Sequence, residues 1–302
     1  MKDTVPIFVK QSKICHLWCS HLTIQGAPFM KFQFIHFAVI LVLIIAFPEI
    51  SFSNERRFGY AYESSVLPIG ARELELWNTD RRGRTYFYHR LDQRIEYEFG
   101  VADNLMSAFY FNATTRTKDS NEESVGGSKS TSYSVSISSE WKYKVMDRVA
   151  DPFGFALYGE GTVGTDKLEL EGKLIFDKQI QQMLYAFDFV GEYESTTNVV
   201  NGSVIDDVEY KIKSDVGGAY IFSNGFGAGL ELRSENIFVS GALTHSSLFA
   251  GATVSYAAHE MWATISILPQ IHSFKGGTTI SQNLDLDEFE KIQTRLLLSF
   301  HF

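Results

Sequence analysis

The sequence predicts an all-β fold: a closed, antiparallel, up-and-down transmembrane barrel of about 12 strands. Three observations predict it. Apolar and polar side chains alternate with a period of two through one segment after another, which sends them to opposite faces of a strand. Several of these segments run past ten residues, whereas strands of soluble sandwiches average about 5–6 and membrane-crossing strands need about 9–11. The chain also stops on Leu296-Leu297-Leu298-Ser299-Phe300-His301-Phe302 with no polar tail. Leu296, Leu298, Phe300 and Phe302 share one face; Arg295, Ser299 and His301 share the other, with Leu297 among them. Such an end suits a strand paired on both sides with hydrocarbon outside it.

The N-terminal part reads differently. A mean hydropathy of −0.07 argues against a helical bundle, whose spans need about 20 apolar residues each. The longest apolar run, residues 37–47, has 11 residues and fits the core of a signal peptide. Met30-Lys31 gives a start with a positive charge, Pro48 ends the run, and Ser51 and Ser53 put small residues before a cut between Ser53 and Asn54. Residues 1–29 are therefore expected to be an upstream extension, 30–53 a signal peptide and 54–302 the barrel domain. A retained signal anchor is the alternative. Both cysteines, Cys15 and Cys19, precede the cut. With His16 and His21 they match no zinc spacing. The remaining 249 residues carry no thiol and a net charge of −11, which argues against a nucleic-acid partner.

Strands are expected at 71–79, 85–99, 104–116, 130–144, 153–164, 167–178, 182–195, 208–221, 225–236, 245–257, 260–270 and 289–302. The 25 Phe and 14 Tyr against 6 Pro favour them. The connections sort by length. Residues 100–103, 179–181, Asn224-Gly225 and 258–259 are short, with 147–152 longer; Asn-Gly is a strong hairpin signal. In the opposite set, 118–128, 197–207 and 272–287 read as long loops, 237–244 is more apolar, and 81–83 and 164–166 are short. Long loops on one rim and tight turns on the other, with both termini at the turns, is the layout of an outer-membrane barrel.

Membrane placement turns the apolar set toward lipid and the charges inward. The lumen is then expected to carry Glu140, Lys142, Lys167, Glu169, Glu171, Lys173, Asp188, Glu192, Glu209, Lys211, Lys213, Glu231, Arg233 and Arg295. They either pair across strands as a polar filling or line a narrow, mildly cation-preferring passage. Leu298, Phe300 and Phe302 are expected to form a C-terminal signal for the barrel assembly machinery; the other expected partner is outer-membrane lipid. Trp77, Trp141 and Trp262 read as wall or interface residues.

Leu67-Pro68-Ile69-Gly70, Glu73-x-Glu75-x-Trp77 and the hairpin from Glu96-Tyr97 through Gly100 and Asp103 to Leu105 carry a resemblance. Residues 58–113 resemble a family of uncharacterised Gram-negative outer-membrane barrels that open on a Tyr-rich strand followed by Leu-Pro-x-Gly. The resemblance implies fold and location, and no activity.

No catalytic, cofactor-binding or metal site is expected. A lipid hydrolase built on His245, Ser247 and Glu260 is the rival of another class, but Leu248-Phe249 follow where such enzymes have Asn-Gly. Glu260 is also expected at the rim opposite His245, about 25 Å away. Asp285, Asp287 and Glu288 read as a solvated acidic loop rather than a calcium site. A soluble lipocalin-like barrel is the third reading; it would reverse the two faces.

Overall fold

The computed structural model describes residues 54–119, 128–165, 167–200, 203–258, 260–276, 280–281 and 283–302. The expected upstream extension and signal peptide, with Ser53, lie outside the described residues, as do residues 120–127 of the expected loop 118–128 and His259. Twelve strands make one closed antiparallel wall. They are β1 (Arg72–Arg82), β2 (Tyr88–Ala102), β3 (Leu105–Asp119), β4 (Lys129–Met146), β5 (Gly154–Gly164), β6 (Lys167–Ile180), β7 (Met183–Val200), β8 (Ser203–Ile221), β9 (Phe226–Val239), β10 (Ala242–Ala258), β11 (Met261–Lys275) and β14 (Ile292–His301). A two-stranded hairpin, β12 (Ile280–Ser281) and β13 (Leu284–Asp285), lies between β11 and β14. Every wall neighbour is consecutive except at the closing seam, where β14 pairs with β1 as well as β11. Leu298 thus stands opposite both Leu76 and Ala263. Phe302 N donates to the Arg72 carbonyl at 3.2 Å, so the final residue is tied to the first strand.

The faces are sorted as a bilayer demands. Leu170, Phe187, Leu230, Ile137 and Ile265 point outward and are exposed, whereas Glu140, Asp188, Glu231 and Gln293 point inward and are buried. Burying charge inside and leaving large apolar side chains outside is favourable only where the outside is hydrocarbon. The lipocalin-like alternative is overturned on this ground.

All twelve expected segments are wall strands, but the long-loop rim differs from expectation. Residues 197–200 and 203–207 are strand rather than loop: β7 and β8 continue their ladder to Val200↔Ser203. Their β-branched Val199, Val200, Val204, Ile205 and Val208 favour extended backbone. This hairpin rises past both neighbours, because β6 joins β7 at Lys167↔Thr196 and β9 leaves β8 at Glu209↔Val239. Residues 237–244 close a tight hairpin in which Ser240 and Gly241 have φ of 52° and 79°, the two positive angles of a type I′ turn. Of residues 272–287, those described form the end of β11, the small hairpin and the turn after it. The first strand begins at Arg72, and the Tyr-rich stretch before it is not a strand at all.

Candidate functional site

Residues 54–70 fold into the barrel. They form a re-entrant loop that rises from the turn-side rim and returns to it. Its neck is held where Ser65 Oγ donates to Asn54 Oδ1 at 2.9 Å, with a second rung where Arg57 N donates to Glu63 Oε1 at 2.7 Å. It leaves along β2, where Gly70 N donates to the Gly100 carbonyl.

An irregular chain inside a barrel has no ladder of its own, so its polar groups must be met by the wall. Three inward carboxylates do this. Glu231 accepts from Gly59 N, Tyr60 N and Ala61 N at 2.9, 2.7 and 3.1 Å. Asp188 accepts from Tyr62 N at 2.6 Å, and Asp177 from Ser64 N and Oγ at 3.2 and 2.6 Å. In the other direction, Thr264 Oγ1 and Arg295 Nη1 donate to the carbonyls of Arg56 and Gly59 at 2.6 and 3.0 Å. The Arg56 guanidinium makes no hydrogen bond with the described residues and lies over the Tyr62 and Trp77 rings at 3.9 and 4.7 Å, a cation–π arrangement.

The loop also supplies the apolar core. Phe58 and Ala61 pack with Leu184, Ala186 and Ala219; Tyr60 packs with Ile237, Phe249, Leu268 and Phe289; Tyr62 packs with Trp77, Ile175, Trp262 and Leu297. Small inward residues make the room: a Cβ on Gly217 would stand 2.7 Å from the Phe58 ring. Leu297, the apolar residue on the polar face of the last strand, thereby has its partners.

Above the loop, toward the long-strand rim, lies a cavity of about 1010 Å³ floored by Tyr60, Tyr62 and Trp77. Of the expected lumen charges, Lys167, Glu169, Glu171, Lys173, Glu192, Glu209, Lys211, Lys213, Arg233 and Arg295 line it. Glu140 and Lys142 are buried lower in the barrel, and Asp188 and Glu231 face the loop. The lysines and glutamates interlock: Lys211 reaches Glu192 and Glu194 at 2.9 and 2.7 Å, Lys173 reaches Glu171 at 2.9 Å, and Lys213 pairs with Glu192. Among the described residues, three clusters of carboxylates bring oxygens within 4.8 Å of one another and so have the spacing to hold a cation: Glu73-Glu75-Glu98, Glu96-Glu98-Glu140 and Glu169-Glu171-Glu192. Positive charge from the chain itself reaches two of them: Arg94 lies 3.7 Å from Glu96 of the second group, and Lys167 and Lys213 pair into the third.

Asp285 corrects the expectation of a solvated acidic loop. It is 1% exposed as a side chain and accepts from His245 Nδ1 at 2.6 Å and from the amides of Asp287 and Glu288. It pins the last connection to the wall. Ser247 is buried, its hydroxyl without a partner among the described residues, and Glu260 lies in the β10–β11 turn at the far rim, so His245, Ser247 and Glu260 are not joined. Asp285→Ala is expected to weaken the anchored connection by roughly 1–3 kcal/mol, read as faster proteolysis within residues 276–290. Unchanged cleavage there would remove the anchoring role.

At the C terminus, Leu298 and Phe300 lie in β14, and Phe302, half exposed, has its ring 6.2 Å from that of Tyr97.

A closed twelve-stranded wall, polar within and apolar without, defines a β-barrel of the outer-membrane type. The chain belongs to a family of unknown function (DUF6662), whose family model matches residues 50–302. Among solved structures it is similar to the COG4313 outer membrane channel from Pseudomonas putida F1, with 11% identity and a TM-score of 0.55 over 82% of this chain and 100% of that one. It is also similar to the β domain of the Bordetella autotransporter BrkA, at 10% identity and a TM-score of 0.47 over 78% and 100% of the two chains. The translocator domain of the autotransporter NalP from Neisseria meningitidis matches at 8% identity and a TM-score of 0.45 over 90% and 96%. A search of curated proteins gives no match.

Proposed function

We propose that this protein is an outer-membrane channel whose lumen loop, residues 54–67, is its closed gate, and whose cavity is the vestibule on the outer side. The observation that carries the reading is the division of the lumen into a filled turn-side half and an open, charged, loop-side half. The match to a channel from Pseudomonas putida F1 supports the architecture and not the solute. In this reading the signal peptide ends at Ser53, lipid surrounds the wall, and Leu298, Phe300 and Phe302 address the chain to the barrel assembly machinery.

Planar-bilayer recording tests it. Residues 55–64 are deleted, joining Asn54 to Ser65, which already touch. Wild type is expected to pass current rarely and the deletion variant steadily. A lock on the loop gives the converse arm: Ala61→Cys with Ala186→Cys links two residues of one packed cluster and should abolish the remaining openings. An inserted deletion variant as silent as wild type would replace the channel with a structural barrel.

A further inference from the structure

Strand register places like charges side by side at the mouth of the cavity. Arg81 on β1 stands opposite Arg90 on β2, and Arg90 stands opposite Arg116 on β3. The result is a row of three arginines across three adjacent strands, all lining the cavity. Like charges directly opposite on a sheet destabilise it, so such a row calls for compensation. Within the protein the compensation is partial. Asp92 bridges Arg81 and Arg90 at 3.1 and 2.7 Å, and Glu290 takes the other side of Arg81 at 2.9 Å. Arg116 is exposed in the cavity and forms no ion pair with any described residue.

The opposite wall is built otherwise. Glu169, Glu194 and Glu209 also stand in one row across β6, β7 and β8, but lysines are interleaved with them: Lys167 pairs with Glu169 and Glu194, and Lys211 with Glu194. Each carboxylate of that row has a lysine within 4 Å, Glu209 through Lys211 at 3.9 Å, whereas Arg116 has no such counterion among the described residues. Guanidinium groups in a row present paired N–H donors matched to the two oxygens of a carboxylate or phosphate.

We propose that the arginine row Arg81–Arg90–Arg116 is a binding site for the oxyanion group, carboxylate or phosphate, of a small solute in the cavity. This sets a local anion site on one wall of the cavity although the chain as a whole is acidic. It rests on the vestibule reading for its biological meaning, but the binding itself needs no conduction.

The test is isothermal titration calorimetry on the detergent-solubilised full barrel at low ionic strength, with succinate in one arm and inorganic phosphate in the other. Wild type is expected to bind at least one of them, and the stronger arm identifies the oxyanion. Arg116→Gln should weaken binding by about tenfold or more while leaving the unliganded barrel at least as resistant to urea, because a like-charge neighbour of Arg90 is removed. Arg116→Lys, which keeps the charge and loses the fork, should bind with intermediate affinity and covers a failure of the glutamine variant to fold. Lys178→Gln, whose Nζ bonds the Asp151 carbonyl near the turn-side rim, should bind as wild type does. No binding of either anion by wild type, or equal losses in Arg116→Gln and Lys178→Gln, would overturn the site. Either result would leave the channel reading to the conductance of the loop-deleted variant.

Discussion

Glu231→Ala is expected to release the lumen loop. One carboxylate accepts three consecutive backbone amides at the top of the loop, and Ser266 Oγ donates to it as well. Hydrogen bonds to a charged group contribute about 1.5–3 kcal/mol each, and orphaned buried donors add a desolvation cost. The loss is therefore about 3 kcal/mol or more after water has re-solvated part of the site. The docked loop would fall from dominant to minor, since each 1.4 kcal/mol changes its population ratio about tenfold. Limited proteolysis from the turn side should cut within residues 54–67 in the variant and spare wild type, with the strands intact in both. Glu231→Gln keeps one acceptor oxygen and should fall between them. A variant loop as protected as the native one would show that the apolar clusters alone seat it.

Leu174→Arg should cost about 2–4 kcal/mol of stability in lipid vesicles, the penalty for a cation on the lipid face of a barrel away from the interfaces. Leu174 is mid-way along β6, faces outward, and stands beside Leu157 and Phe189 on the neighbouring strands. Glu169→Gln, five residues away on the cavity side of the same strand, should change stability by less than about 1 kcal/mol. Urea titration of the two variants separates the faces. A loss below about 1 kcal/mol for Leu174→Arg would mean that the outer face does not meet hydrocarbon.

The wall was legible because each strand carries its own evidence. In residues 167–178 the alternation of Leu168 and Leu170 with Lys167, Glu169 and Glu171 fixes both element and face without reference to any partner. The rim hairpins were misjudged where polar Asn, Gly, Ser and Asp interrupt a run that β-branched neighbours still hold extended, as around Val200 and Ser203. The lumen loop was missed for another reason. Residues 58–62 are as aromatic as a strand, and only the wall reveals what they fill. The signal was present in inward positions that lack the expected charge: Ala186, Gly217, Ala219, Phe249, Leu268 and Leu297 are small or apolar where the pattern calls for polar side chains. The arginine row lies beyond single-strand reading altogether. Arg81, Arg90 and Arg116 are scattered in sequence and become neighbours only through register, which a one-residue slip would abolish.

Because both arms of the segment leave through the same rim, its extraction is topologically free: no chain end has to thread the cylinder. A pull from the turn side would draw the fold of chain straight back the way it came, one rung after another. The downstream arm runs directly into Arg72, the start of the strand that meets the chain's last strand. If the loop is the gate proposed above, tension on it is delivered to that junction between strands distant in sequence, and the force that opens the lumen also strains the closure of the wall.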